Sequence, residues 1–160
     1  ISLFYAYMAE KVKTIEIKNR KASFEFYLLQ RYEAGMILRG TEIKAIREGA
    51  ANLSDAFCYM RGGEIFVKNL FISEYSQGSY YNHDARRERK LLLNKIEIKK
   101  IDRKLTEKGF TLIPVRLFIS ERGFAKLEIA LAQGKKLYDK RATIKEKDNR
   151  REMDRIKTIK

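Results

Sequence analysis

Along residues 124–132, Ala125, Leu127, Ile129 and Leu131 alternate with Lys126, Glu128 and Ala130. A period of two with one apolar face predicts a strand with one face in a core and one face out. Its partner is Leu112–Ile119, across a Ser120-Glu121-Arg122-Gly123 turn. Pro114, near the start of that partner, has no backbone donor and marks an edge or a bulge. A second hairpin is predicted where Gly62-Gly63 separates Phe57–Arg61 from Glu64–Asn69, since paired glycines accept the positive φ of a tight turn. Val12–Lys18 and Ala34–Leu38 complete six strands.

Three stretches switch to helical spacing. Arg20–Tyr32 is apolar at Ala22, Phe26 and Leu29, with Tyr27 and Leu28 widening the stripe. Thr41–Glu48 carries Ile43 and Ile46 and closes on Gly49. Residues 95–108 bury Ile98, Ile101 and Leu105; Asn94 is the N-cap, Glu97 follows three residues on as in a capping box, and Gly109 ends the helix. Short strands with a few covering helices predict a mainly β fold with flanking α-helices: an OB-type closed antiparallel β-barrel of about six strands and three helices, with a basic C-terminal tail. Residues 11–134 form the barrel and residues 135–160 the tail. Residues 1–10 read as an N-terminal extension, with the natural start expected at Met8; the apolar run Ile1–Met8 is too short to cross a membrane.

The tail differs in character from everything before it. Residues 135–160 hold eleven Lys or Arg against five acids, and from Lys145 to Glu152 there is no apolar residue to dock on a core. Acids precede bases at helical spacing (Glu146 with Arg150, Asp148 with Arg151, Glu152 with Arg155, Asp154 with Lys157), each pair worth only about 0.2–0.5 kcal/mol. An isolated helix of this length is marginal in water. The tail is therefore expected to be disordered when free and helical against a polyanion.

Charge narrows the function. Lys plus Arg number 35 against 21 acids, a formal net charge of +14, which self-repels unless a polyanion offsets it. Nucleic acid is the first candidate and an anionic membrane surface the second, though the tail's intermixed acids and lack of Trp, Phe or Leu at helical spacing argue against a membrane. Cys58 and His83 each stand alone, so a disulfide framework, a thiolate zinc site and a His-rich metal site are all excluded. No cofactor or metal is expected, and the compartment is a reducing cytoplasm.

Arg86–Leu93 (RRERKLLL) follows an aromatic loop, Tyr75–Asp84, and dense positive charge beside aromatics suits phosphate contact with base stacking. The bland alternative is a solvated basic face with ordinary core tyrosines. Glu33 falls at the C-terminal end of the first helix, where a carboxylate opposes the macrodipole, and on spacing alone reads as a solvated acid. Asn94 is explained by capping, His83 as solvated in a polar loop, and Cys58 as a small core residue. Enzyme chemistry fails on inventory: there is no phosphate-binding glycine loop and one His cannot readily build a nucleophile pair. A nuclease with a carboxylate-held metal has only the scattered Asp55, Glu64 and Asp84 to draw on. A generic OB-fold ribosomal protein or initiation factor would share the charge.

Several motifs in one order are more specific. Asn19-Arg20-Lys21-Ala22, Glu33-Ala34-Gly35, Gly40-Thr41-Glu42-Ile43-Lys44 with Ile46-Arg47, Asn52-Leu53-Ser54-Asp55-Ala56-Phe57, Arg89-Lys90-Leu91-Leu92-Leu93-Asn94, and Gly134-Lys135-Lys136 with Asp139-Lys140-Arg141 together resemble the small protein B family, the tmRNA-binding proteins of bacterial trans-translation. The resemblance covers residues 11–160. It implies an OB-type barrel without catalytic activity that binds the tRNA-like domain of tmRNA. With elongation factor Tu it escorts that RNA into stalled ribosomes, acting as a monomer with no membrane partner.

By position, the resemblance assigns Asn19, Arg20, Lys21, Glu33, Arg89, Lys90, Leu92 and Asn94 to tmRNA. It gives Gly134, Lys135, Lys136, Tyr138, Asp139, Lys140, Arg141 and Ile156 to a ribosome-binding tail that enters the decoding centre and the mRNA channel. Tyr138 stands where many members have histidine, and Lys157 where an apolar residue is common. The basic residues would neutralise phosphate and release counterions. A carboxylate at Glu33 cannot meet phosphate; it would accept from a base amino group, a 2′-OH or an arginine.

Overall fold

In the computed structural model, which describes residues 15–76, 82–107 and 109–158, the period-two hairpin is the backbone of the fold. Strand β8 (Phe110–Ile119) pairs with β9 (Ala125–Gly134) along its whole length, from Ile119↔Ala125 to Phe110↔Gln133, with a bulge between Pro114 and Arg116. The bulge sits where the missing proline N–H predicts one. Before these strands come β1 (Glu16–Lys18), β2 (Phe26–Met36), β3 (Ala51–Asn52), β4 (Phe57–Arg61), β5 (Glu64–Lys68), β6 (Phe71–Ile72) and β7 (Arg89–Leu92). The helices are α1 (Arg20–Glu25), α2 (Gly40–Arg47), α3 (Lys95–Leu105) and α4 (Leu137–Thr158).

Seven strands form one antiparallel sheet in the order β1-β8-β4-β5-β7-β2-β9, and β9 pairs back onto β8. The ladders are uneven, since β4 meets β8 at the single pair Cys58↔Leu112. β3 and β6 make a separate two-stranded sheet. The main core lies inside this arrangement and includes Ala34, Ile46, Leu53, Ile65, Val67, Leu91, Leu112, Leu117, Leu127 and Ile129. A smaller cluster of Ala22, Ile113 and Ala132 packs α1 on the opposite face of β8 and β9. β9 is thus covered on both faces along much of its length, and Ala130, expected outside, is fully buried.

The β4–β5 hairpin matches its prediction: Gly62 and Gly63 take φ of +60° and +76°, the pair of positive angles a type I′ turn requires. Helices α2 and α3 also fall where expected, within three residues. The first predicted helix does not. It stops at Glu25, and Phe26–Met36 is the long strand β2, paired with β9 from Phe26↔Gly134 to Gly35↔Lys126. Ala22, Phe26 and Leu29 satisfy a helical stripe, but Phe26, Leu28, Tyr32, Ala34 and Met36 satisfy a strand, and the ladder to β9 decides between them. β3, β6 and β7 were not foreseen, the first two because two residues are too few to show a period. Val12–Thr14 of the first predicted strand, and residues 1–10, lie outside the described residues.

Cys58 is buried as expected, and burial pushes its thiol well above the usual range. Residues 137–158 form one helix, in which Glu146 Oε1 accepts from Arg150 Nη2 at 3.2 Å, one of the pairs read from spacing. No helix among the described residues is long and apolar enough to cross a membrane.

Candidate nucleic-acid interface

The basic segment Arg86–Leu93 builds the interior before it builds a surface. Arg89 is completely buried: its Nε donates to Glu42 Oε2 at 2.8 Å and its Nη1 to the Leu70 carbonyl at 2.7 Å. Arg87 Nε donates to the other Glu42 oxygen, also at 2.8 Å. Glu42 sits in the first turn of α2 with no exposed surface. Burial alone would push its carboxyl up, but the hydrogen bonds and charges of Arg87 and Arg89 outweigh that and hold it below the usual carboxylate range. The expected RNA contact of Arg89 is therefore corrected, because a side chain sealed against Glu42 and three carbonyls cannot reach a phosphate. The signal was in the sequence, as Glu42 shares a helical face with Ala45 and Ile46 and so had to find a buried partner.

His83 is corrected in the same way. It is 1% exposed, with Nε2 donating to the Ile72 carbonyl at 2.9 Å and Nδ1 2.8 Å from Thr41 Oγ1. Asn82 joins the two ends of the aromatic loop through Tyr75, donating to its carbonyl at 2.8 Å and accepting from its N–H at 3.2 Å. Residues 77–81 of that loop lie outside the described residues. What the basic segment leaves at the surface is Arg86, half-buried Lys90, whose Nζ donates to Glu64 Oε1 at 2.6 Å, and exposed Leu92.

Leu92 leads to a hollow. β2 and β7 pair through Gly35↔Leu92 and Met36↔Leu91, a register that carries Glu33 opposite Asn94. A Cβ on Gly35 would come into van der Waals contact with Leu92 Cβ at 3.4 Å. Glu33, Leu92, Leu93, Asn94 and Glu97 line the result. Asn94 occupies the N-cap position of α3, but its side chain makes no capping bond; its Nδ2 donates to Glu97 Oε1 at 3.1 Å. The capping-box expectation is thus right in position and wrong in bonding. Behind the hollow the Tyr32 hydroxyl is buried without a partner, and burial with the charge of Glu97 raises it.

Glu33 is mid-strand, so the macrodipole argument falls away. Its register partner is Glu128, and two carboxylates facing each other repel. Arg116 resolves this: its Nε donates to Glu128 Oε2, its Nη1 donates to Glu16 Oε1 at 3.2 Å, and its Nη2 lies 4.0 Å from Glu33 Oε1. Arg31 Nη1 donates to the second Glu128 oxygen at 3.2 Å. Burial alone would push the Glu128 carboxyl up, but the two arginines hold it below the usual range, and the Glu128 hydrogen bond raises Arg116. No local pattern in the sequence announces this network. Counting outward from the Ser120–Gly123 turn would have set Arg116 near Glu128.

Beyond Arg116 lies a second hollow, lined by Asn19, Arg20, Arg31, Glu128 and Lys147 among others. Asn19 Nδ2 donates to the Pro114 carbonyl at 2.9 Å and its N–H to the Val115 carbonyl at 2.8 Å, while Oδ1 is buried without a partner. Glu33, Leu92 and Asn94 thus come together, Asn19 and Arg20 stand across Arg116 from them, and Lys21 is exposed on α1. The tail residues begin at the other end of β2, where Gly134 pairs with Phe26. Lys135 Nζ donates to the Ser23 carbonyl at 2.9 Å, and Lys136, Arg141 and Ile156 are exposed. The side chains of Tyr138 and Asp139 lie outside the described residues. Among the described residues no three His, Cys, Asp or Glu gather as a metal site would require.

Comparisons with known proteins bear on this geometry. A family model described as SmpB protein matches residues 16–159. SsrA-binding proteins of Cytophaga hutchinsonii and Bacteroides thetaiotaomicron are each 58% identical, over 92% and 91% of this chain and 97% of each relative. A chain of the solved structure described as "tmRNA-SmpB: a journey to the center of the bacterial ribosome" is 42% identical with a TM-score of 0.66, covering 77% of this chain and 86% of that one.

Proposed function

The chain belongs to the SmpB family, the SsrA-binding proteins, and from that premise we propose how its parts divide the work. It binds tmRNA and serves the rescue of stalled ribosomes. In our reading, residues 11–134 act as an OB-type barrel that holds the tRNA-like domain of tmRNA on the Glu33, Leu92 and Asn94 hollow. Asn19, Arg20, Lys21 and Lys90 contribute at its margins. Arg89 supports this surface from inside.

Residues 135–160 are the ribosome-facing part. Gly134, Lys135, Lys136, Tyr138, Asp139, Lys140 and Arg141 approach the small-subunit RNA near the decoding centre, and Ile156 follows along the empty mRNA channel. The helix α4 has few apolar residues to anchor it, which suits a segment that orders fully only against RNA. The protein works as a cytoplasmic monomer, without catalysis, and travels with elongation factor Tu through their shared RNA.

One observation carries the reading. The β2–β7 register gathers a carboxylate, an exposed leucine and an amide from distant parts of the sequence into one hollow on a basic protein. A carboxylate there repels phosphate, so it selects for a base amino group or a 2′-OH and rewards shape over charge. The test is a titration of the tRNA-like domain of tmRNA against an ordinary tRNA at two salt concentrations. The reading expects a preference for the tmRNA domain that survives the higher salt. Equal binding that collapses with salt would indicate a generic polycation and overturn it.

A further inference from the structure

The outer face of β4, β5 and β7 carries a group of side chains that the core does not use. Phe57 is opposite Lys68, Tyr59 opposite Phe66, Phe66 opposite Lys90 and Arg61 opposite Glu64. The alternate residues Cys58, Ile65, Val67 and Leu91 fill the core, so the first set faces outward. Tyr59 and Phe66 stack with centroids 6.0 Å apart and planes at 26°, and Phe57 lies 6.2 Å from Tyr59. Phe57 is 41% exposed.

Cations are interleaved with these rings. The Arg61 guanidinium stands over the Phe66 ring at 4.5 Å. Lys68 is exposed and makes no ion pair among the described residues. Lys90 pairs with Glu64 at 2.6 Å, a surface pair of small net worth that a phosphate can displace, and Arg61 lies 3.5 Å from a buried oxygen of Glu88. Protein-binding patches enrich Arg but typically deplete Lys around their central aromatics, whereas Lys68 and Lys90 both lie beside these rings. Rings flanked by cations are instead what single-stranded nucleic acid requires, with bases stacking on the faces and phosphates meeting the charges.

We propose that Phe57, Tyr59 and Phe66, with Arg61, Lys68 and Lys90, form a stacking platform for unpaired bases of the bound RNA. The platform is contiguous with the Glu33 hollow, because Leu92 follows Lys90 on the same face of β7. The proposal rests on that hollow being the tmRNA site: an RNA loop engaged at Glu33 and Asn94 passes over Leu92 onto the rings.

The chain has no tryptophan, so Phe57→Trp introduces a single indole reporter while keeping an aromatic ring. Titrated with the tRNA-like domain of tmRNA, its fluorescence is expected to be quenched as a base stacks on it. Phe57→Ala in the full chain is expected to weaken binding about tenfold, within the range that loss of one stacked base supports, and Phe57→Tyr to restore it. An unquenched indole with Phe57→Ala binding within twofold of wild type overturns the platform, provided that Glu33→Gln still weakens the same RNA. An indole that responds only to purified elongation factor, without RNA, also overturns it in favour of a protein partner. Should wild type itself show no preference for the tmRNA domain over tRNA, the reading of the hollow fails first.

Discussion

Replacing Arg89 with methionine separates the two roles a basic residue can have in an RNA-binding protein. The substitution keeps a long unbranched chain in the cavity but removes every donor. Glu42 then keeps only Arg87, whose own side chain is partly exposed, and the Leu70 carbonyl loses a 2.7 Å bond. Breaking a buried ion pair from one side destabilises by about 3–5 kcal/mol, because a desolvated charge is left under-compensated. For a protein of this size that is roughly 6–20 °C in melting temperature, measurable by circular dichroism or urea unfolding. A second measurement gives the contrast. The slope of log affinity against log salt for the tmRNA domain should be unchanged, since no phosphate contact is lost, whereas an arginine on a phosphate would lower it by about 0.7–0.9. Glu42→Gln in a double-mutant cycle should show strong coupling to Arg89→Met. A variant that stays within about 0.5 kcal/mol of wild type, the range of ordinary surface changes, while the salt slope falls, would refute the buried-network assignment.

Glu33→Gln and Asn94→Ala should each weaken binding to the tmRNA domain while leaving the melting temperature within a degree or two, checked by paired titration and thermal scans. Deleting the chain after Lys136 retains the Lys135 bond to Ser23 and should preserve tmRNA binding yet abolish tagging on stalled ribosomes in a reconstituted translation assay. Arg116→Met leaves Glu33 and Glu128 facing each other, and a double-mutant cycle with Glu33→Gln should show coupling of about 0.2–1 kcal/mol. Their arginine partners hold the Glu42 and Glu128 carboxyls below the usual carboxylate range, so the stability they confer is present above the unfolded value and is lost as pH falls through the folded one. Urea midpoints should hold steady down to about pH 5 and decline below 4.5, and Glu42→Gln should reduce that decline.

The parts of this fold that could be read from the sequence are those in which local pattern and long-range pairing agree. The β4–β5 hairpin has its Gly62-Gly63 turn, and the bulge follows from Pro114. The helix over Arg20–Tyr32 could not be read correctly, because its apolar positions suit either period and only β9, a hundred residues away in sequence, settles the matter. Glu33 moves with that correction from an unfavourable helix end to the middle of a strand. The motif from Arg89 to Asn94 did not show which of its side chains face out, since in β7 alternate residues turn inward: Arg89 and Leu91 enter the core, Lys90 and Leu92 face out.

That alternation has a consequence for the surplus of positive charge. A net charge of +14 suggests a surface that binds any polyanion, yet the arginines nearest the hollow are already committed. Arg89 and Arg87 are held by Glu42, and Arg116 and Arg31 by Glu128. Among the described residues many exposed basic side chains stand elsewhere, along α4 above all. On the proposed reading, a hollow whose nearest arginines are paired and which is lined by Glu33 and Glu97 gains little from counterion release at that point. On that reading it discriminates by fit and hydrogen bonding, while the basic tail adds the salt-sensitive attraction. That proposal sets selective recognition and general affinity for RNA at different ends of β2, which is why removing either one should leave the other measurable.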